Sequence, residues 1–180
     1  VFDNEEVGSL TKQGADSTFL TDTVRRIASA LNIPEAEWLR KMPDSFMLSA
    51  DNAHAVHPNY TEKCDQTNRC YLNGGIVIKY SANQKYTTDS VSAAVFGEIC
   101  RKAEVPVMIF YNRSDMAGGG TLGSIANTKV AVSTVDIGLP QLAMHSCYET
   151  AGAEDIDSLV KAMTAFYSKT LTVENGEYGI

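Results

Sequence analysis

SFMLSADNAHAVHPNY, residues 45–60, decides the fold: six mostly apolar residues end at Ala50, and a polar stretch holding Asp51, His54 and His57 begins at once. A run this short, with Pro43 just before it, suits a buried strand, so Asp51 is expected at a strand's exit. Upstream, residues 17–31 carry Phe19, Leu20, Val24, Ile27, Ala28 and Leu31 at near-helical spacing, with Arg25 and Arg26 on the outer side. That pattern predicts an amphipathic helix, and Pro34 opens a short second one to Lys41. Downstream, Gly74 and Gly75 punctuate the chain before the β-branched run 76–80, a second strand. Thr87 or Thr88 caps a helix to about Ala103 with Val91, Val95 and Ile99 facing inward. Residues 106–111 and 130–137 read as further strands, separated by a glycine-rich stretch and a short helix over 121–127. A last helix, residues 154 to about 170, buries Ile156, Leu159, Val160, Met163, Phe166 and Tyr167, with acidic charge at its N-terminal end where the helix dipole favours it. Residues 173–180 read as a polar, acidic tail without a pattern.

Strands alternating with helices of this length predict an α/β layer structure with a largely parallel sheet, in which ligands gather outside the strand ends. Four polar stretches fall at or beside the strands: FDNEEVGS (residues 2–9), SADNAHAVHPNY (49–60), AGGGTLGS (117–124) and PQLAMHS (140–146). Together they hold all three histidines and the tandem pair Glu5 and Glu6. Carboxylates and imidazoles hold divalent ions, and a further carboxylate can move protons, so this is the raw material of a metal-assisted hydrolase. Each piece also has an ordinary reading. Tandem glutamates are commonly a solvated surface, Asp51 with His54 and His57 is compatible with an Asx turn, and His145 behind its apolar approach with a satisfied core side chain. The histidine spacing is not that of HExxH, the glycine stretch lacks the GK[ST] ending of a phosphate loop, and no GxSxG elbow supports covalent catalysis.

Length, 44% hydrophobic content and 21% charged residues suit one globular domain with a real core. The net charge of −7, without a basic cluster, argues against a nucleic-acid partner. No apolar run approaches the roughly 18 residues of a membrane span, so no membrane partner is expected. Four cysteines at low density read as reduced thiols in a cytoplasmic protein, and the gap between Cys64 and Cys70 matches neither a redox pair nor a zinc knuckle. The chain opens on Val1 just before its acidic pair, as a piece of something longer would.

Taken together, FDNEEVGS, SADNAHAVHPNY, GGGTLGS and PQLAMHS resemble the C-terminal half of the M18 metallo-aminopeptidases, the aspartyl aminopeptidases. EEVG is shared with the related M42 aminopeptidases, whereas the second and fourth motifs are more particular to M18. The resemblance implies a zinc-peptidase-like (phosphorylase/hydrolase-like) three-layer α/β/α domain with a mostly parallel mixed sheet, incomplete here. Residues 1–172 would be its C-terminal portion, with the family's inserted dimerisation domain absent. It further implies a homo-oligomer, commonly a dodecamer, acting on peptides through two zinc ions, with Mn or Co also suited to such ligands. Matched residue by residue, Glu5 would be the general base, and Glu6, Asp51 and His145 metal ligands. His54 would line the substrate site, and Lys79 and Tyr86 would contact substrate, Lys79 facing an acidic N-terminal side chain. The family's N-terminal histidine ligand and its bridging carboxylate have no counterpart here, so the segment alone is expected to be inactive. The same two-metal chemistry could serve an amidohydrolase or deacylase, and a non-catalytic assembly module is the reading of another class.

Overall fold

In the computed structural model, which describes residues 1–4, 7–174 and 176–180, the elements follow in this order. They are α1 (Phe19–Ala30), α2 (Glu35–Lys41), β1 (Phe46–Ala50), β2 (Ala53–His54), β3 (Ile76–Tyr80), α3 (Ser90–Lys102), β4 (Val107–Tyr111), α4 (Leu122–Asn127), β5 (Ser133–Gly138), β6 (Pro140–Leu142), β7 (Thr150–Ala151), α5 (Ala153–Tyr167), β8 (Thr172–Glu174) and β9 (Glu177–Gly179). The main sheet has the order β1-β5-β3-β4. Its outer pairs, β1 with β5 and β3 with β4, are parallel, while β3 and β5 meet antiparallel, so the expected α/β class with a mixed sheet holds.

Period-two alternation sorts the strand residues onto two faces. Ile76, Ile78, Val135 and Ile137 face α3 and α5, where they bury against Phe96, Cys100 and Ala162. Each large apolar side chain taken out of water there contributes about 1.5–3 kcal/mol. The opposite face carries Val77, packed with Phe110 and Tyr86, and beside it the polar Ser49, Lys79 and Asp136, all buried. One face is therefore core and the other is where chemistry can collect.

Several expectations are corrected. Helix α3 is capped by Asp89, whose carboxylate accepts from the Ser92 amide at 2.7 Å while Ser92 Oγ accepts from the Asp89 amide at 3.0 Å. Thr87 and Thr88 are committed elsewhere, and Val91, on the first turn, is 47% exposed. On α5, Ile156, Val160 and Tyr167 also face outward. The cause is Asp155: fully buried, it accepts from the amides of Asn73 (2.7 Å) and Gly75 (2.8 Å), which rotates the helix so that Leu159 and Ala162 meet the core. In α1 only Ala28 is buried, and Phe19, Ile27 and Leu31 stay exposed. The tail is not patternless, since β8 and β9 pair antiparallel and Tyr178 packs on Phe46 with its hydroxyl donating to Ser133 Oγ at 2.7 Å.

Candidate functional site

The β1–β5 pair does not stop at Ala50. Amides of Asp51, Ala53 and Ala55 donate to the carbonyls of Ile137, Leu139 and Gln141 at 2.8–2.9 Å, carrying the parallel pairing into a second small sheet, β2-β6-β7. Asp51 sits at that junction. The backbones approach so closely there that a Cβ on Gly138 would lie 2.0 Å from the Asp51 carbonyl oxygen, which is why glycine is required. Asn52 locks the junction, donating to Gln141 Oε1 at 2.6 Å and accepting from the Leu139 amide at 3.2 Å.

Lys79 reaches the same place from β3. Because β3 runs against β5, it arrives across the sheet face. Lys79 is 1% exposed, and its ammonium donates to the carbonyl oxygens of Asp51 (2.7 Å) and Asn52 (3.4 Å). It also stands 3.5 Å from Asp51 Oδ2 and 5.3 Å from the Tyr86 ring centre. These partners let a buried cation persist. The Tyr86 hydroxyl accepts from Asn112 Nδ2 at 2.9 Å, and burial pushes its pKa up, so the phenol stays neutral at ordinary pH.

His54 comes from β2 and His145 from the turn after β6. Ala143 and His145 both adopt left-handed backbone (φ +54° and +69°), a costly conformation closed by the Ser146 amide donating to the Ala143 carbonyl and the His145 amide donating to Glu149. His145 is exposed, not the core side chain of the ordinary reading. Partial burial, then the neighbouring His145 and Lys79, hold the His54 pKa below its usual range, with Asp51 opposing. Asp51, His54, Lys79, Tyr86 and His145 thus line one cavity of about 100 Å³. Glu5 and Glu6, the expected base and ligand, lie outside the described residues.

The donors fit a divalent ion in kind: Asp51 offers a carboxylate, and His54 and His145 offer imidazoles, of which His54 is biased toward the neutral, ligating form. Among the described residues, no three such side chains stand close enough to hold a metal by themselves.

Three contributors escaped the sequence reading. Asn112, directly after β4, lines the cavity and orients Tyr86, and its signal was position: like Asp51, it is polar at a strand's exit. Asn52, next to Asp51, carries no signal separate from its neighbour's. Asp136, fully buried in β5, accepts from Ser49 Oγ (2.5 Å), Thr121 Oγ1 (2.9 Å), the Thr87 amide (2.6 Å) and Thr87 Oγ1 (2.7 Å). One carboxylate therefore fixes the segments that carry Asp51, Tyr86 and the cavity-lining Gly119 and Gly120. A charged residue inside an apolar strand was its signal. The glycine stretch is accordingly tied to the sheet through Thr121.

The M18 family, described as aminopeptidase I zinc metalloprotease, matches residues 1–167. A Clostridium novyi protein named "Probable M18 family aminopeptidase 2" is 52% identical over 167 residues, covering 93% of this chain and 39% of that protein. The chain thus spans about two fifths of that relative's length. In a cryo-EM structure of an Ape4 and Nbr1 complex, a chain 39% identical superposes with a TM-score of 0.85, covering 92% of this chain and 31% of that one. A Saccharomyces cerevisiae mApe1 dodecamer, 32% identical, gives 0.76 over 93% of this chain and 36% of that one.

Proposed function

The chain belongs to the M18 family of zinc metalloproteases, and from that premise we propose that it forms the C-terminal part of the catalytic domain of an aminopeptidase removing N-terminal residues, Asp and Glu preferentially, within a homo-oligomer. The observation that carries this reading is the shared cavity, where Asp51, His54, Lys79, Tyr86 and His145 meet from four separate segments. Glu6, Asp51 and His145 would hold zinc. Two ions, when bound, supply Lewis acidity toward the scissile carbonyl and an acidified water.

The chain's own residues do the rest. Glu5 takes a proton from the attacking water onto its carboxylate and returns it to the leaving amine, which requires a pKa lifted toward working pH. Lys79, buried and fixed by the Asp51 and Asn52 carbonyls, presents a positive charge that does not need to be ordered on binding. An acidic N-terminal side chain would share that ammonium with Asp51 Oδ2, and the neutral Tyr86 hydroxyl beside it offers a donor. An assay of the full-length, zinc-loaded protein on peptides opening with Asp, Glu, Asn or Leu tests the reading. Acidic substrates should be preferred at least about tenfold, and Lys79→Met should erase the preference. Equal rates on all four would refute the acidic specificity, and cleavage of N-acyl amino acids instead of peptides would favour a deacylase.

A further inference from the structure

A second, larger cavity of about 370 Å³ opens beside the first. The two share His54, Phe110, Asn112, Gly119 and Met144 as a common wall. Past that wall the outer chamber is lined by Tyr60, Tyr111, Met116 and Leu142, an apolar and aromatic surface that the site chemistry does not use. Two cations stand at its edge, and both are engaged. Arg113 pairs with Asp115 at 2.7 Å and donates to the Glu62 carbonyl, while the Lys63 ammonium lies 4.8 Å above the Tyr60 ring. With those two cations engaged, the apolar and aromatic wall is the larger surface a side chain meets, which suits a large apolar group.

We infer that this chamber receives the residue that follows the scissile bond, and that it selects bulky apolar or aromatic side chains there. The inference rests on the aminopeptidase reading. The inner cavity, at about 100 Å³, has room for little more than the N-terminal residue and its reacting carbonyl. The chamber adjoins it across the shared wall, so a longer peptide leaving on that side enters the chamber. Phe110 and Met144, common to both cavities, then separate the first side chain from the second.

The test holds the N-terminal residue at Asp and varies the second among Gly, Ala, Leu, Phe and Glu, measuring kcat/KM with the full-length, zinc-loaded protein. Leu and Phe should exceed Gly by at least about tenfold, with Glu near the Gly level. Met116→Ala and Tyr60→Ala should each narrow the Phe-to-Gly ratio by about threefold or more, through lost contact area. The ratio is internal to each preparation, so a partly misfolded variant leaves it unmoved. Cleavage of every peptide at similar rates, or a ratio indifferent to both variants, would overturn the chamber's assignment while leaving the aminopeptidase reading intact. Failure to cleave any of them would sink both.

Discussion

Replacing Asp136 with alanine removes the carboxylate on which the polar face of the sheet is organised. Four hydrogen bonds converge on it, two from the hydroxyls of Ser49 and Thr121 and two from the amide and hydroxyl of Thr87, and the side chain is wholly out of water. Net, a hydrogen bond to a charged acceptor stabilises by roughly 1.5–3 kcal/mol, and an orphaned buried donor costs about 1–3 kcal/mol. The three hydroxyls can rotate toward other acceptors, but the Thr87 amide cannot. Discounting the sum for that relaxation leaves a loss of about 4–6 kcal/mol, comparable with the ~5–15 kcal/mol that holds a typical domain folded. Asp136→Asn keeps the shape and one acceptor oxygen and should cost about 1–3 kcal/mol, while Thr121→Val and Thr87→Val, each losing one hydroxyl bond to the carboxylate, should each cost about 1.5–3 kcal/mol. Urea unfolding followed by far-UV circular dichroism gives these differences from the midpoint and slope. An alanine variant within about 1 kcal/mol of the parent would refute the idea that this carboxylate ties the three segments together.

The 180-residue chain, loaded with zinc, should show no measurable dipeptide hydrolysis, because the three proposed ligands, Glu6, Asp51 and His145, are too few to hold two ions; turnover above a metal-free blank would contradict this. Burial pushes the thiols of Cys70 and Cys100 up to about 12, so both should resist a thiol reagent at pH 8 in the native chain while the exposed Cys147 reacts quickly. Counting thiols with and without denaturant checks it. The Asp65 carboxyl is held down at about 2, chiefly by the Asn68 amide and then by the Thr67 hydroxyl and amide, so its ionised form is favoured on folding. Its stabilising contribution is present above the ordinary value of 3.8 and lost as pH falls from there through about 2. Carboxyl NMR titration should find that midpoint, and Thr67→Val should raise it.

Much of this architecture is legible in local pattern. The abrupt end of FMLSA predicts both β1 and the exit position of Asp51, and IVIKY gives β3 to the residue. What local pattern does not carry is strand direction. The antiparallel meeting of β3 and β5 is a long-range fact, and it decides that Lys79 enters across the sheet face. Helix rotation is equally hidden, because the apolar stripe of α5 suggested a face including Ile156 and Val160, whereas the grip of Asp155 on the turn at Asn73 and Gly75 turned both outward. The cap of α3 went to Asp89 because Thr87 and Thr88 had partners in Asp136, a residue far away in sequence. In the tail, Gly176, which takes a left-handed φ of +81°, was a readable turn signal that acidic composition obscured.

The most direct measurement is anomalous diffraction at the zinc edge from crystals of the full-length protein. Convergence of Asp51 and His145 on one cavity predicts two zinc peaks there, with an Asp51 oxygen, a His145 ring nitrogen and a Glu6 oxygen each about 2.0–2.2 Å from an ion. Zinc found elsewhere, with none of these three residues coordinating it, would contradict the site.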